Sequence, residues 1–137
     1  MGNSDAVGAL TKLKSYIDYG TFQPIQIAST VALNELDDYP FELSTVYKER
    51  RDLVQEYLED LEFIVQESDA TMFVWAKLPK RFNKDSLKFS LDILEKSNVA
   101  ISPGIGFGKF GEGHIRIALV ENKQRIRQAM KNIKAAL

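Results

Sequence analysis

The sequence predicts an α+β fold in which helices come first and a small sheet covered by helices follows. Three observations predict it. Met72 to Leu78 is a compact, largely apolar run rich in aromatics and closed by Pro79, the strongest strand signal in the chain. Val99 to Leu119 reads as strand, glycine-rich loop and strand, and its loop holds five of the chain's eight glycines. Around both, apolar residues recur at helical spacing, alone over the opening third and between strands thereafter.

Taken in order, Asp5 or Ser4 is placed to cap a first helix in which Ala6, Leu10, Leu13 and Ile17 repeat, and Gly20 supplies its stop. A second helix begins at Pro24, since proline suits a first helical turn. Ile25, Ile27, Ala28, Val31, Ala32 and Leu36 make it apolar around most of its circumference, so it is expected to be largely buried. Asp37-Asp38-Tyr39-Pro40 breaks it. Ser44 then caps a long third helix with Val46, Arg50, Leu53, Tyr57 and Leu61 along one stripe. After the Met72–Leu78 strand, in which Phe73 and Trp75 read as core aromatics, residues 84–97 return to helical spacing through Leu87, Leu91 and Leu94. A terminal helix follows a cap at Asn122, with Ile126, Ala129, Met130, Ile133 and Leu137 inward and a basic, solvated outer face.

Composition narrows the function. The 137 residues suit one ordinary domain, and 45% hydrophobic with 27% charged residues is typical of a globular protein. A net charge of −1 disfavours nucleic acid or an anionic membrane as partner. The absence of cysteine removes disulfides and thiolate chemistry, and suits the reducing cytoplasm expected for this chain. The single histidine, His114, has no carboxylates spaced to complete a metal centre, so no metal is expected. No apolar run approaches membrane-spanning length, and the first residues do not read as a secretory signal.

Chemistry concentrates in the second half of the glycine-rich stretch. Ile115, Ile117 and Leu119 alternate with Arg116 and Ala118, so Arg116 points away from the apolar face, either into solvent or into a cleft beside the loop. The loop lacks the Gly-Lys-Ser/Thr ending of a nucleotide-binding loop. His114, with no nucleophile or orienting carboxylate beside it, reads as a hydrogen-bonded surface residue rather than a general base. Tyr16 and Tyr19 read as packing residues.

The pattern Ser102-Pro103-Gly104, Phe107-Gly108, Gly111, Gly113 and Arg116-Ile117-Ala118 resembles the C-terminal signature of the class I/II pyridoxal-phosphate-dependent aminotransferases. The likeness runs over essentially the whole chain. Gly2-Asn3, Lys14-Ser15-Tyr16 and Asp18 to Gln26 resemble the segment after the cofactor-binding lysine, and Phe73 to Pro79 is similar to the first strand of the small domain. Aspartate- and LL-diaminopimelate-type members are the most similar. The resemblance implies that residues 1–40 are the last helices of the large cofactor domain and residues 41–137 the small domain, bridged by the helix from Ser44 to Leu61.

It further implies transfer of an amino group between an amino acid and a 2-oxo acid, with Arg116 gripping the substrate α-carboxylate. Arginine's planar fork suits that task, because it stays charged and pairs bidentately. A homodimer is implied, with Tyr19 and Thr21 near the partner's cofactor pocket. The Schiff-base lysine, the aspartate facing the pyridine nitrogen and most phosphate ligands belong to positions before this chain, and neither Lys12 nor Lys14 matches that lysine. The chain therefore resembles a C-terminal piece, expected to hold no pyridoxal phosphate and to be inactive alone. Two other readings stay open. One is a free-standing α+β module that binds or senses an amino acid through Arg116 and the glycine loop, which would bury the second helix in its own fold. The other is an interaction fragment that dimerises through that helix.

Overall fold

The computed structural model describes residues 2–82 and 84–137. The chain folds as two compact units divided after Pro40. In the first, α1 (Ser4–Ile17) and α2 (Gln23–Glu35) flank a connection in which Gly20 adopts φ +113°. Asn3 caps α1 in place of Ser4 or Asp5, accepting from the backbone N–H of Asp5 at 3.0 Å and of Ala6 at 3.1 Å. Asp5 then sits in the first turn, where its charge complements the helix dipole. α1 ends at Ile17 rather than at Gly20. Pro24 lies in the first turn of α2 as read.

The burial expected for α2 is not found, since neither helix has a buried residue. A helix apolar on most sides needs apolar surface on most sides, and one short companion helix does not supply it. Tyr16 and Tyr19, read as packing residues, are exposed as well.

The second unit is a two-layer α+β arrangement. α3 (Tyr39–Asp60) begins at Tyr39 rather than at Ser44, because Pro40 falls in its first turn, where a missing N–H breaks no helical bond. Its buried residues are Leu53, Val54 and Leu58, while Val46 is exposed and Arg50 reaches out to donate to the Leu119 carbonyl at 2.9 Å. Four antiparallel strands follow, β1 (Ile64–Val65), β2 (Phe73–Lys77), β3 (Ser102–Pro103) and β4 (His114–Ala118), in the order β1-β2-β4-β3. The central pair sets Val74 opposite Ile117, Trp75 opposite Arg116, Ala76 opposite Ile115 and Lys77 opposite His114.

α4 (Ser86–Ser97) is capped by Asp85, whose side chain accepts from the Lys88 N–H at 2.8 Å. Leu87, Leu91 and Leu94, whose spacing marks the helix in the sequence, are exposed; Ser86, Phe89, Ser90, Ile93 and Ser97 are the buried residues. Both stripes have helical period. The one lined with small serines lets the helix approach closely, which leaves the bulkier leucines outside. α5 (Lys123–Ala136) is capped by Asn122 and buries Ile126, Met130 and Ile133, as expected, but Leu137 is exposed. Val74, Ala76, Ile115 and Ile117 join these helical residues in one core. The alternation of the strands then sets Phe73, Trp75, His114 and Arg116 on the opposite face of the sheet.

Candidate carboxylate-binding site

Arg116 lies at the centre of that opposite face, between Trp75 on β2 and Ser102 on β3. Its guanidinium carbon is 4.1 Å from the ring centroid of Phe73 and 4.1 Å from that of Phe107. Trp75 meets Phe107 edge-on at 5.7 Å and stacks on His114 at 5.5 Å, so the aromatic rings form a continuous wall around the cation. Phe73 and Trp75 are thus half-buried walls of the Arg116 face rather than core residues. Period two sends Val74 and Ala76 into the core and turns the aromatics away from it.

Phe107 is delivered by the glycine-rich loop, which folds as 3-10 turns over Gly104–Phe107 and Lys109–Gly111. Two backbone approaches shape it. A Cβ placed on Gly104 would lie 2.0 Å from the Gly111 carbonyl oxygen, and one placed on Gly111 would lie 2.0 Å from that of Gly104, so both positions need glycine for contact. Glu112 ties the loop to the start of α4: the Ser86 N–H donates to its Oε1 at 2.6 Å and the Gly113 N–H at 3.0 Å. Those bonds, from Ser86 first and Gly113 second, hold the Glu112 carboxyl below its ordinary value. His114 Nδ1 donates to the Glu112 carbonyl at 3.1 Å, which turns the imidazole onto Trp75.

The open cleft beside Arg116 has a volume of about 380 Å³ and is lined by Phe73, Trp75 and residues 66–71. Among the described residues the Arg116 guanidinium makes no hydrogen bond or ion pair; the carboxylates of the cleft, Glu67 and Asp69, do not pair with it. Aromatic faces hold a guanidinium by its plane and leave its N–H edge free, so this cation is oriented without being neutralised. That edge fits a carboxylate. The cleft does not fit pyridoxal phosphate, because no lysine lines it to form the cofactor's Schiff base. Lys12 is exposed on α1, and Lys14 is paired with Asp18 at 2.7 Å. Tyr19 and Thr21 lie in the first unit, exposed in the connection between α1 and α2. Among the described residues no group of acidic and histidine side chains is placed to hold a metal ion.

The sequence model of the family "aminotransferase class I and II" matches residues 1–133. The chain belongs to the class I and II aminotransferase family. It is 47% identical to the LL-diaminopimelate aminotransferase of Natranaerobius thermophilus, over 97% of this chain and 34% of that protein. It is 43% identical to the glutamate-pyruvate aminotransferase AlaC of Escherichia coli K12, over 98% of this chain and 33% of that protein. Among solved structures, an aminotransferase from Staphylococcus aureus superposes with a TM-score of 0.89 at 29% identity, over 99% of this chain and 36% of that one. The chain spans about a third of the length of the relatives it matches. The α+β architecture expected from the sequence is that of these neighbours.

What sequence reasoning missed around Arg116 is its aromatic setting. Phe73 and Trp75 carried a signal, their shared parity on β2 against Val74 and Ala76. Phe107 carried none, because a loop has no period from which to read direction.

Proposed function

We propose that this chain is the C-terminal part of a pyridoxal-phosphate-dependent aminotransferase of amino-acid biosynthesis, and that Arg116 grips the α-carboxylate of its amino-acid and 2-oxo-acid substrates. The observation that carries the reading is the guanidinium clamped between Phe73 and Phe107 with its N–H edge unpaired among the described residues. Two relatives are named for different substrates, LL-diaminopimelate in one and glutamate and pyruvate in the other. All of these carry a carboxylate beside the reacting carbon, so a single arginine fork serves each of them.

In the full-length enzyme the cofactor, when bound, acts as the electron sink that makes the Cα–H bond acidic. Arg116 contributes orientation: a carboxylate held at two oxygens cannot rotate, and the reacting carbon is presented in one pose. The residues up to Pro40 are assigned to the cofactor domain and the rest to the small domain. The assembly is a cytoplasmic homodimer in which Tyr19 and Thr21 approach the partner's cofactor pocket. Among the described residues no helix is long and apolar enough to cross a membrane.

The test is transamination by the full-length protein loaded with pyridoxal phosphate, beside this chain treated identically. Glutamate-dependent turnover by the first and none by the second is the expected result. Turnover by this chain alone would place the chemistry on a lysine within it and overturn the assignment.

A second reading, an amino-acid-binding module, draws on one feature: the cleft pairs a cation at Arg116 with carboxylates at Glu67 and Asp69, the charge pattern of a zwitterion's complement. It also requires a second helix buried in its own fold, and α2 has no buried residue. Calorimetric titration of this chain with glutamate separates the two, since only the module binds saturably.

A further inference from the structure

The same face of the sheet carries a second cleft, independent of the carboxylate grip, where β2 ends and β4 begins at the Lys77–His114 pair. Its volume is about 740 Å³, and three lysines, Lys77, Lys80 and Lys84, line it beside His114. The carboxylates that share it are already engaged. Glu62 is paired with Arg81, and Glu112 accepts from the N–H groups of Ser86 and Gly113. Among the described residues none of the three lysine ammonium groups has a hydrogen-bond or ion-pair partner, in a chain whose net charge is −1.

Three like charges around one concavity repel one another, and a multivalent anion seated among them relieves that repulsion. Two details make the cleft more than a charged surface. The stem of Lys84 lies against Gly113, its Cβ and Cγ 3.5 Å from where a side chain there would begin, an ordinary packing distance that sets the stem along the loop. Ile64, Pro79 and Phe82 line the same cleft and give it an apolar floor.

We propose that this cleft binds a small organic anion bearing several phosphate charges, its phosphates among Lys77, Lys80 and Lys84 and its apolar or planar body on the floor. Lysines suit this ligand better than a bare carboxylate, because they act as point charges around a group whose charge is spread over several oxygens. Binding is visible directly, since His114 lines the cleft and stacks at 5.5 Å on Trp75, the chain's single tryptophan.

The experiment titrates the chain with adenosine triphosphate and with inorganic tripolyphosphate, reading Trp75 fluorescence, beside sodium chloride at matched ionic strength. Saturable binding of both polyphosphates is expected, tighter for the nucleotide, with no saturable change from the chloride. Lys77→Gln and Lys80→Gln each weaken it about ten-fold, and Lys131→Gln on α5 leaves it unchanged. A response that coincides with the chloride curve, or lysine variants in the cleft that bind like the parent, would overturn the proposal. Equal affinity for tripolyphosphate and nucleotide would remove the apolar floor from it. Because no substrate or pyridoxal phosphate is present, failure here is distinct from failure of the aminotransferase reading.

Discussion

The guanidinium carbon of Arg116 stands 4.1 Å above the ring of Phe107, a residue contributed by a glycine-rich loop rather than by the strand that carries the arginine. Loop and strand are therefore coupled at the site. In the full-length enzyme, Phe107→Leu keeps much of the apolar volume but removes the ring face, a contact of about 1 kcal/mol. The expected outcome is a KM for amino-acid substrate raised roughly five-fold with kcat little changed. Steady-state kinetics check it, and an unchanged KM would mean that the ring does not orient the cation.

Gly104 and Gly111 lie back to back, and a methyl group on either meets a carbonyl oxygen at 2.0 Å. Neither backbone can yield without moving the loop that delivers Phe107. Gly104→Ala and Gly111→Ala are each expected to destabilise the chain by about 3 kcal/mol. Gly106→Ala, with nothing within 4 Å, is expected to change stability by less than about 0.5 kcal/mol. Urea unfolding followed by Trp75 fluorescence compares the three.

The two faces of α4 make a paired test of its packing. Ile93 is 1% exposed and Leu91 is 56% exposed. Ile93→Ala should cost about 3 kcal/mol, through lost transfer energy and the cavity left behind, whereas Leu91→Ala should cost less than about 0.5 kcal/mol. Urea midpoints distinguish them; a loss at Leu91 as large as that at Ile93 would mean that the leucine stripe is packed as well.

Glu112 gives the chain a specific acid sensitivity. Its folded-state pKa lies below the ordinary carboxylate value because the N–H groups of Ser86 and Gly113 donate to the ionised form. The unfolded chain lacks those donors and binds the proton more readily. Its contribution to stability is therefore fully present above the unfolded-state value and is lost as pH falls through the folded-state value. Glu112→Gln is expected to be less stable than the parent at about pH 7, and the difference should shrink by about pH 4. Urea midpoints at the two pH values check this.

The parts of the fold legible in the sequence were those where a local rule and the tertiary structure agree. Asn122 caps α5 as read, and Arg116 stands on the face that its alternation with Ile115 and Ile117 demands. Elsewhere two local rules competed. Residues 86–97 offer a leucine stripe and a serine-rich stripe of equal period, and close approach to the sheet, a tertiary requirement, selects the second. Ser44 is a good cap, but Pro40 is an equally good first-turn residue and the helix takes the earlier start. At the candidate site, the direction of Arg116 was readable from its alternation with Ile115 and Ile117, as was the dense glycine that lets a loop fold back on itself. The clamp was not, because Phe73 is parted from Arg116 in sequence by the whole of α4 and Phe107 sits in a segment without period.

The most direct test of the central claim is the KM and kcat of the Arg116→Ala variant of the full-length enzyme. It should be run on an amino-acid donor and on the matching amine that lacks the carboxylate. A charge-assisted bidentate contact of about 2.7 kcal/mol corresponds to roughly a hundred-fold fall in kcat/KM. That fall is predicted for the amino acid alone, with the amine unaffected. Equal falls on both donors, or no fall on the amino acid, would contradict the assignment of Arg116 to the carboxylate.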